Sequence, residues 1–151
     1  MLGERLEGTT FDAIYSSPMQ RALRTAALAG FDHPAVTDLL KEVDYGAYEG
    51  LTSKQIHESD PNWELYRDGC PGGETPAQVY ARACAFIDLA TQPQPGRVLA
   101  FGHGHILRAI AVAWIAADIG LAARLVLDVA SINILRDDGE RGRVIALWNA
   151  T

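Results

Sequence analysis

The segment Arg97 to Ile110, RVLAFGHGHILRAI, sets an apolar run directly against Gly102-His103-Gly104-His105 and then against a second apolar run with helical spacing. A strand, a glycine-flanked histidine and a helix N-terminus in that order surround one imidazole with free backbone N–H groups, which makes a place for an anion. Strands that feed helices across tight turns belong to parallel α/β sheets.

The same order occurs earlier in the chain. Phe11 to Tyr15 reads as a short strand, and Ser17-Pro18 reads as an N-cap with proline at the first helical position, opening a helix through about Ala29. MLGERLEG before it reads as the tail of a helix, with Leu2 and Leu6 four apart and Gly8 as its stop. Phe31 to Gly73 is mostly irregular, with glycines at 46, 50, 69, 72 and 73, a short helix from Thr52 and another over Asn62 to Asp68. Long irregular stretches of this kind usually carry function.

Thr75-Pro76 caps a helix whose apolar positions Val79, Ala83, Phe86, Ile87 and Ala90 keep the helical period until Pro93 and Pro95 end it. Leu121 to Leu127 is predicted helical. Ser131 to Arg136 and Arg143 to Trp148 flank the turn Asp137-Asp138-Gly139-Glu140 and predict a closing antiparallel hairpin. Four strands are thus visible, and no repeat or low-complexity tract interrupts them.

A chain of 151 residues, 48% apolar and 21% charged, is sized for one domain with its own core. A net charge of -6 argues against a nucleic-acid surface. The longest apolar stretch, Ile106 to Ile119, contains Arg108 and Asp118 and is too short to span a bilayer, so a soluble protein without a membrane partner is expected. Cys70 and Cys84 are expected as reduced thiols, which points to the cytoplasm.

Any cation for an anionic ligand must then be gathered locally. Arg21 lies in the first turns of its helix, where the helix dipole disfavours it unless an anion sits nearby. Its planar guanidinium suits phosphate oxygens, and its alternative is a solvated surface arginine. His103 has the same two readings, an anion-site imidazole or a buried structural histidine bonded to a carbonyl. His105 reads as structural, and the His103/His105 pair lacks further ligands for zinc. KEVDYGAYEGLT, from Lys41, places Glu42, Asp44 and Glu49 in a loop where one carboxylate could protonate a leaving oxygen, the alternative being a solvated loop of ordinary acids, which is favoured for Asp44 and Glu49. Glu74, in CPGGETPAQV, adjoins a helix start.

Taken in order, SSPMQRALRTA, LLKEVDYGAYEGLT, PGGET and FGHGHILRAI resemble the motifs of the histidine phosphatase superfamily, the phosphoglycerate mutase-like fold. The resemblance implies a three-layer α/β/α domain over residues 1–151, with a mostly parallel sheet and a C-terminal antiparallel hairpin. It also implies phosphomonoester hydrolysis through a phosphohistidine, with no cofactor and no metal. Arg21 and His103 would hold the phosphoryl oxygens, Glu42 would protonate the departing alkoxide, and Glu74 would lie near the leaving group. The substrate would be a small phosphorylated metabolite. Phosphoglycerate mutase activity and a catalytically inactive, phosphate-binding pseudoenzyme are the alternatives, and a homo-oligomer is left open.

One motif of that family is missing. No Arg-His-Gly occurs in the sequence, so the nucleophilic histidine and first arginine are expected to lie in a first strand that this chain lacks at its N-terminus. That strand would stand beside Val98, and its loss is expected to leave two unpaired sheet edges, with aggregation, element swapping or a borrowed strand as the outcome.

Overall fold

A computed structural model of the chain describes residues 2–93 and 96–151. Its parallel sheet consists of β1 (Ala13–Ser16), β2 (Ala35–Val36) and β3 (Val98–Phe101) in the order β2-β1-β3. A separate antiparallel pair joins β4 (Ile132–Asp137) to β5 (Arg143–Ala150). The architecture is α/β with a closing hairpin. Helices α1 (Leu2–Leu6), α2 (Gln20–Leu28), α3 (Ser53–Ser59), α4 (Leu65–Asp68), α5 (Pro76–Thr91) and α6 (Gly104–Trp114) fill the connections.

Period-two alternation sends the parallel strands' side chains to two faces. Ile14 and Leu99, paired in register, pack with Phe101, Phe31 and the buried Ala26 of α2. Tyr15 and Ala100, the next pair, turn the other way onto the core of α5 and α6. That second core holds Ile106, Ala109, Ile110 and Val112 from one face of α6, together with Val79, Ala83, Phe86 and Ile87 of α5. Each large aliphatic buried there contributes roughly 1.5–3 kcal/mol. The sheet therefore lies between two helical layers.

Some sequence expectations need correction. Helix α2 starts at Gln20 and not at Ser17-Pro18, because the Ser17 N–H still bonds the Phe101 carbonyl at 2.9 Å and continues the sheet. Ser17 Oγ instead accepts the Met19 N–H in a turn. Ile119–Arg124 is a 3-10 segment capped by Asp118, where a helix over 121–127 was expected. Strand β2 has two residues, too short to leave a periodicity. Helix α5 ends at Thr91, before Pro93; Pro95, expected with it to stop the helix, lies outside the described residues.

Two loops meet back to back. Ala47 N–H donates to the Pro71 carbonyl at 2.8 Å and Glu74 N–H to the Asp44 carbonyl at 2.9 Å. A Cβ at Gly46 would collide with the Pro71 carbonyl, and one at Gly73 with that of Asp44. Bare glycines on both sides bring the acidic segment against the Gly-Gly-Glu turn.

The outer edges of β3 and β4 have no strand partner among the described residues. Between them lies a cavity of about 280 Å3, bordered by Leu99, Phe101, Ile110, Ile132 and Leu135. No helix among the described residues is long and apolar enough to cross a membrane.

Candidate active site

Strand β3 runs through Gly102 into His103, whose extended backbone (φ -124°, ψ 164°) makes it the N-cap of α6. Its imidazole is 7% exposed. Arg21, on the first turn of α2, reaches it from the neighbouring βα junction, and its Nε–H donates to His103 Nδ1 at 2.9 Å. The opposite ring nitrogen, Nε2, lies 2.8 Å from Ser17 Oγ. Nδ1 accepts, so the neutral ring is assigned its proton on Nε2, which donates to Ser17. Burial lowers the pKa of His103, the Arg21 charge lowers it further, and the nearby Glu42 opposes both. A neutral imidazole beside a guanidinium results.

Glu42 approaches the same place from the 41–52 loop. Its carboxylate accepts the N–H groups of His105 and Ile106, each at 3.1 Å, and that of Val43 at 3.0 Å. Two donors of the α6 N-terminus expected for a ligand are therefore held by a side chain of the chain itself. Burial pushes the Glu42 carboxyl upward. The hydrogen bond and charge of His105, with the backbone N–H groups, outweigh that and hold it at about 2.

These groups line a cleft of about 400 Å3. Arg21, Thr25, Glu42, Gly102, His103 and Gly104 form one wall, and the loop from Leu127 to Ser131 forms the other. Arg21 supplies the one basic side chain among the described lining residues, against the carboxylates of Glu42 and Asp128. Asp128 is already held by the Asn149 amide at 2.8 Å. The cleft offers donors for one oxyanion face.

Glu74, expected near the leaving group, is not among the residues that line this cleft. Arg82 clamps it through two bonds at 2.8 and 2.7 Å, and the Asp44 N–H adds a third at 2.9 Å. The same guanidinium donates to the Leu39 and Lys41 carbonyls, so Glu74 and Arg82 support the segment that carries Glu42. Asp44 and Glu49 accept backbone N–H groups in their own loop. Both cysteines are free, and burial with the charges of Asp44 and Glu49 raises Cys70 to about 11. Among the described residues no group of three or more His, Cys, Asp or Glu side chains is placed to hold a metal.

Sequence reasoning missed Ser17 as a partner of His103, and it read His105 as structural only. The ring of His105 stands between Glu42 and Tyr45.

The α/β sheet thus brings an arginine and a histidine together at the ends of two adjacent parallel strands, β1 and β3. The sequence profile of the histidine phosphatase superfamily (branch 1) matches residues 1–151, and the chain belongs to that family. It is 44% identical over 122 residues to an acid phosphatase of Mycobacterium tuberculosis, covering 80% of this chain and 60% of that protein. It is 27% identical over 150 residues to a sedoheptulose 1,7-bisphosphatase of Saccharomyces cerevisiae, covering 83% of this chain and 55% of the relative. The chain thus spans little more than half the length of these relatives. The solved structure of an open reading frame of Mycobacterium tuberculosis superposes with a TM-score of 0.93 at 38% identity, over 99% of this chain and 79% of the other.

Proposed function

We propose that this chain carries the phosphate-holding part of a phosphomonoester hydrolase that works through a phosphohistidine in the whole protein. The observation that carries the proposal is the Arg21–His103 pair, 2.9 Å apart on the wall of the cleft. The guanidinium binds two phosphoryl oxygens, and His103 Nε2–H supplies a neutral donor when it turns from Ser17. The nucleophile is the histidine of an Arg-His-Gly motif, which none of the 151 residues supplies. That histidine attacks phosphorus, the bond to the ester oxygen breaks, and water later releases inorganic phosphate.

Glu42 is the proton donor to the departing alkoxide in this reading. It is ionised at neutral pH, as its pKa of about 2 requires. A phosphate dianion entering beside it raises its proton affinity by like-charge repulsion, which favours the protonated carboxyl while substrate is bound. Small phosphorylated metabolites fit the cleft. Hydrolysis is favoured over mutase chemistry because the relatives named above are phosphatases. Two free thiols fit a reducing compartment, and we place the protein in the cytoplasm.

Incubating the protein as encoded with a phosphorus-labelled monoester tests this. The expected result is release of phosphate through an acid-labile, base-stable phosphohistidine. Phosphate binding without label or turnover selects a pseudoenzyme instead, a reading favoured by Arg21 being the one basic side chain among the described residues of the cleft.

A further inference from the structure

Glu42 needs a source for the proton it delivers. The carboxylate is mostly shielded from water, with 17% of its side chain exposed, and three backbone N–H groups already bind it. Backbone amides do not give up protons to a carboxylate. Among the described residues the titratable side chain within hydrogen-bond reach of Glu42 is His105, whose Nδ1 lies 3.3 Å from Oε2. His105 does not itself line the cleft, while its side chain is 31% exposed and so open to proton exchange with solvent.

We propose that His105 is a relay residue, which passes a proton from solvent to Glu42 and thereby recharges the acid that protonates the leaving group. This rests on Glu42 acting as proton donor in the reaction given above. The imidazolium Nδ1–H bond breaks as an O–H bond forms on Glu42 Oε2. That O–H bond then breaks as its proton joins the ester oxygen leaving phosphorus. Neutral His105 then takes up, through solvent, the proton set free when water cleaves the phosphohistidine and releases inorganic phosphate, so the proton count closes over one turnover. No oxidant, metal or further reactant enters.

Tyr45 holds the ring in place. Its hydroxyl lies 2.6 Å from His105 Nδ1 and 3.2 Å from Nε2, so it stands beside the ring within reach of both nitrogens and keeps the imidazole against Glu42. Burial and the Glu42 charge push the Tyr45 pKa upward, so the phenol keeps its own proton. Of the other charged or titratable groups around the pair, His103 feels the Glu42 charge from the same cleft. Tyr66 donates to the His105 carbonyl at 2.9 Å, and Arg108 stands over the Tyr66 ring at 5.6 Å. Glu49 and Cys70 act on the far side of Tyr45. None of these sits between His105 and Glu42.

Two measurements test the relay. In the chain as it stands, NMR titration of the Glu42 carboxyl is expected to move up by at least one unit in His105→Gln, and an unchanged midpoint would overturn the proposal. In the active whole protein, a substrate with an alkyl leaving group needs the proton, whereas p-nitrophenyl phosphate leaves as a stable anion. His105→Gln is expected to lower kcat on the alkyl ester at least tenfold while changing kcat on p-nitrophenyl phosphate less than twofold. Tyr45→Phe, the milder variant, shows the same split at smaller size. Equal losses on both substrates mean a structural role, and no loss on either means no role; each overturns the relay. Wild-type protein inert on both substrates sinks the phosphatase reading instead, and the carboxyl titration then decides the pair alone.

Discussion

Arg21 Nε–H points into His103 Nδ1 across 2.9 Å, joining residues 82 positions apart in sequence. One bond thereby fixes the tautomer of the ring, lowers its basicity and orders a guanidinium that is otherwise exposed. Helix α2 and helix α6 start from adjacent strands, β1 and β3, which pair in parallel through Ala13–Ser16 and Val98–Phe101. Register puts the two side chains at one place.

Removing the Arg21 charge should make His103 more basic. The histidine is held below its ordinary 6.5, so the folded state binds a proton less readily than the unfolded chain and stability falls as pH drops below 6.5. In Arg21→Gln the His103 midpoint, followed by NMR of the ring protons, should rise toward 6.5. A midpoint that stays put means the guanidinium does not act on the ring.

Glu42 sets an acid limit. Its carboxyl titrates at 4.5 when unfolded and at about 2 when folded, so its stabilisation is complete above 4.5 and disappears as pH falls toward 2. The shift amounts to about 3 kcal/mol. Denaturant melts at pH 7 and pH 3 should show Glu42→Gln destabilised by about 1–3 kcal/mol at neutrality and much less in acid. A pH-independent deficit contradicts this.

Breaking the Arg82–Glu74 pair should harm the fold and spare the cleft. Both side chains are largely buried, 16% and 19% exposed, and removing one leaves the other charge unpaired. Arg82→Met should cost about 3 kcal/mol in chemical unfolding. Phosphate affinity of the folded fraction should stay within about twofold, since neither residue lines the cleft; a tenfold loss would place Glu74 in the binding machinery.

Ile106 anchors the first turn of α6 in the core with no exposed surface. Ile106→Ala should lower unfolding free energy by about 2–5 kcal/mol. A loss under about 1 kcal/mol would mean that α6 is not seated as described.

Much of this was legible in the sequence where the signal is local. His103 stands out because an apolar strand, two glycines and a helical run are contiguous, and Arg21 because it opens a helix just after a strand. The hairpin announces itself by Asp138-Gly139 between alternating strands, and Gly139 adopts φ 70° there. What was not legible depends on distant partners. Ser17 carries the sequence mark of an N-cap, yet its N–H is drawn into the sheet by Phe101. Glu74 looks available beside a helix start until Arg82, one turn and more into α5, folds back on it. His105 gives no local sign that Glu42 and Tyr45, some sixty positions earlier, will enclose its ring.

The central claim is that Arg21 and His103 together grip a phosphoryl group, and titration calorimetry with inorganic phosphate or vanadate tests it most directly. Arg21→Ala and His103→Ala are each expected to weaken binding by about 1–3 kcal/mol, the cost of a lost charge-assisted hydrogen bond. The double variant should lose less than the sum, because the two side chains are in contact. Affinity that is unchanged in both single variants would contradict the account.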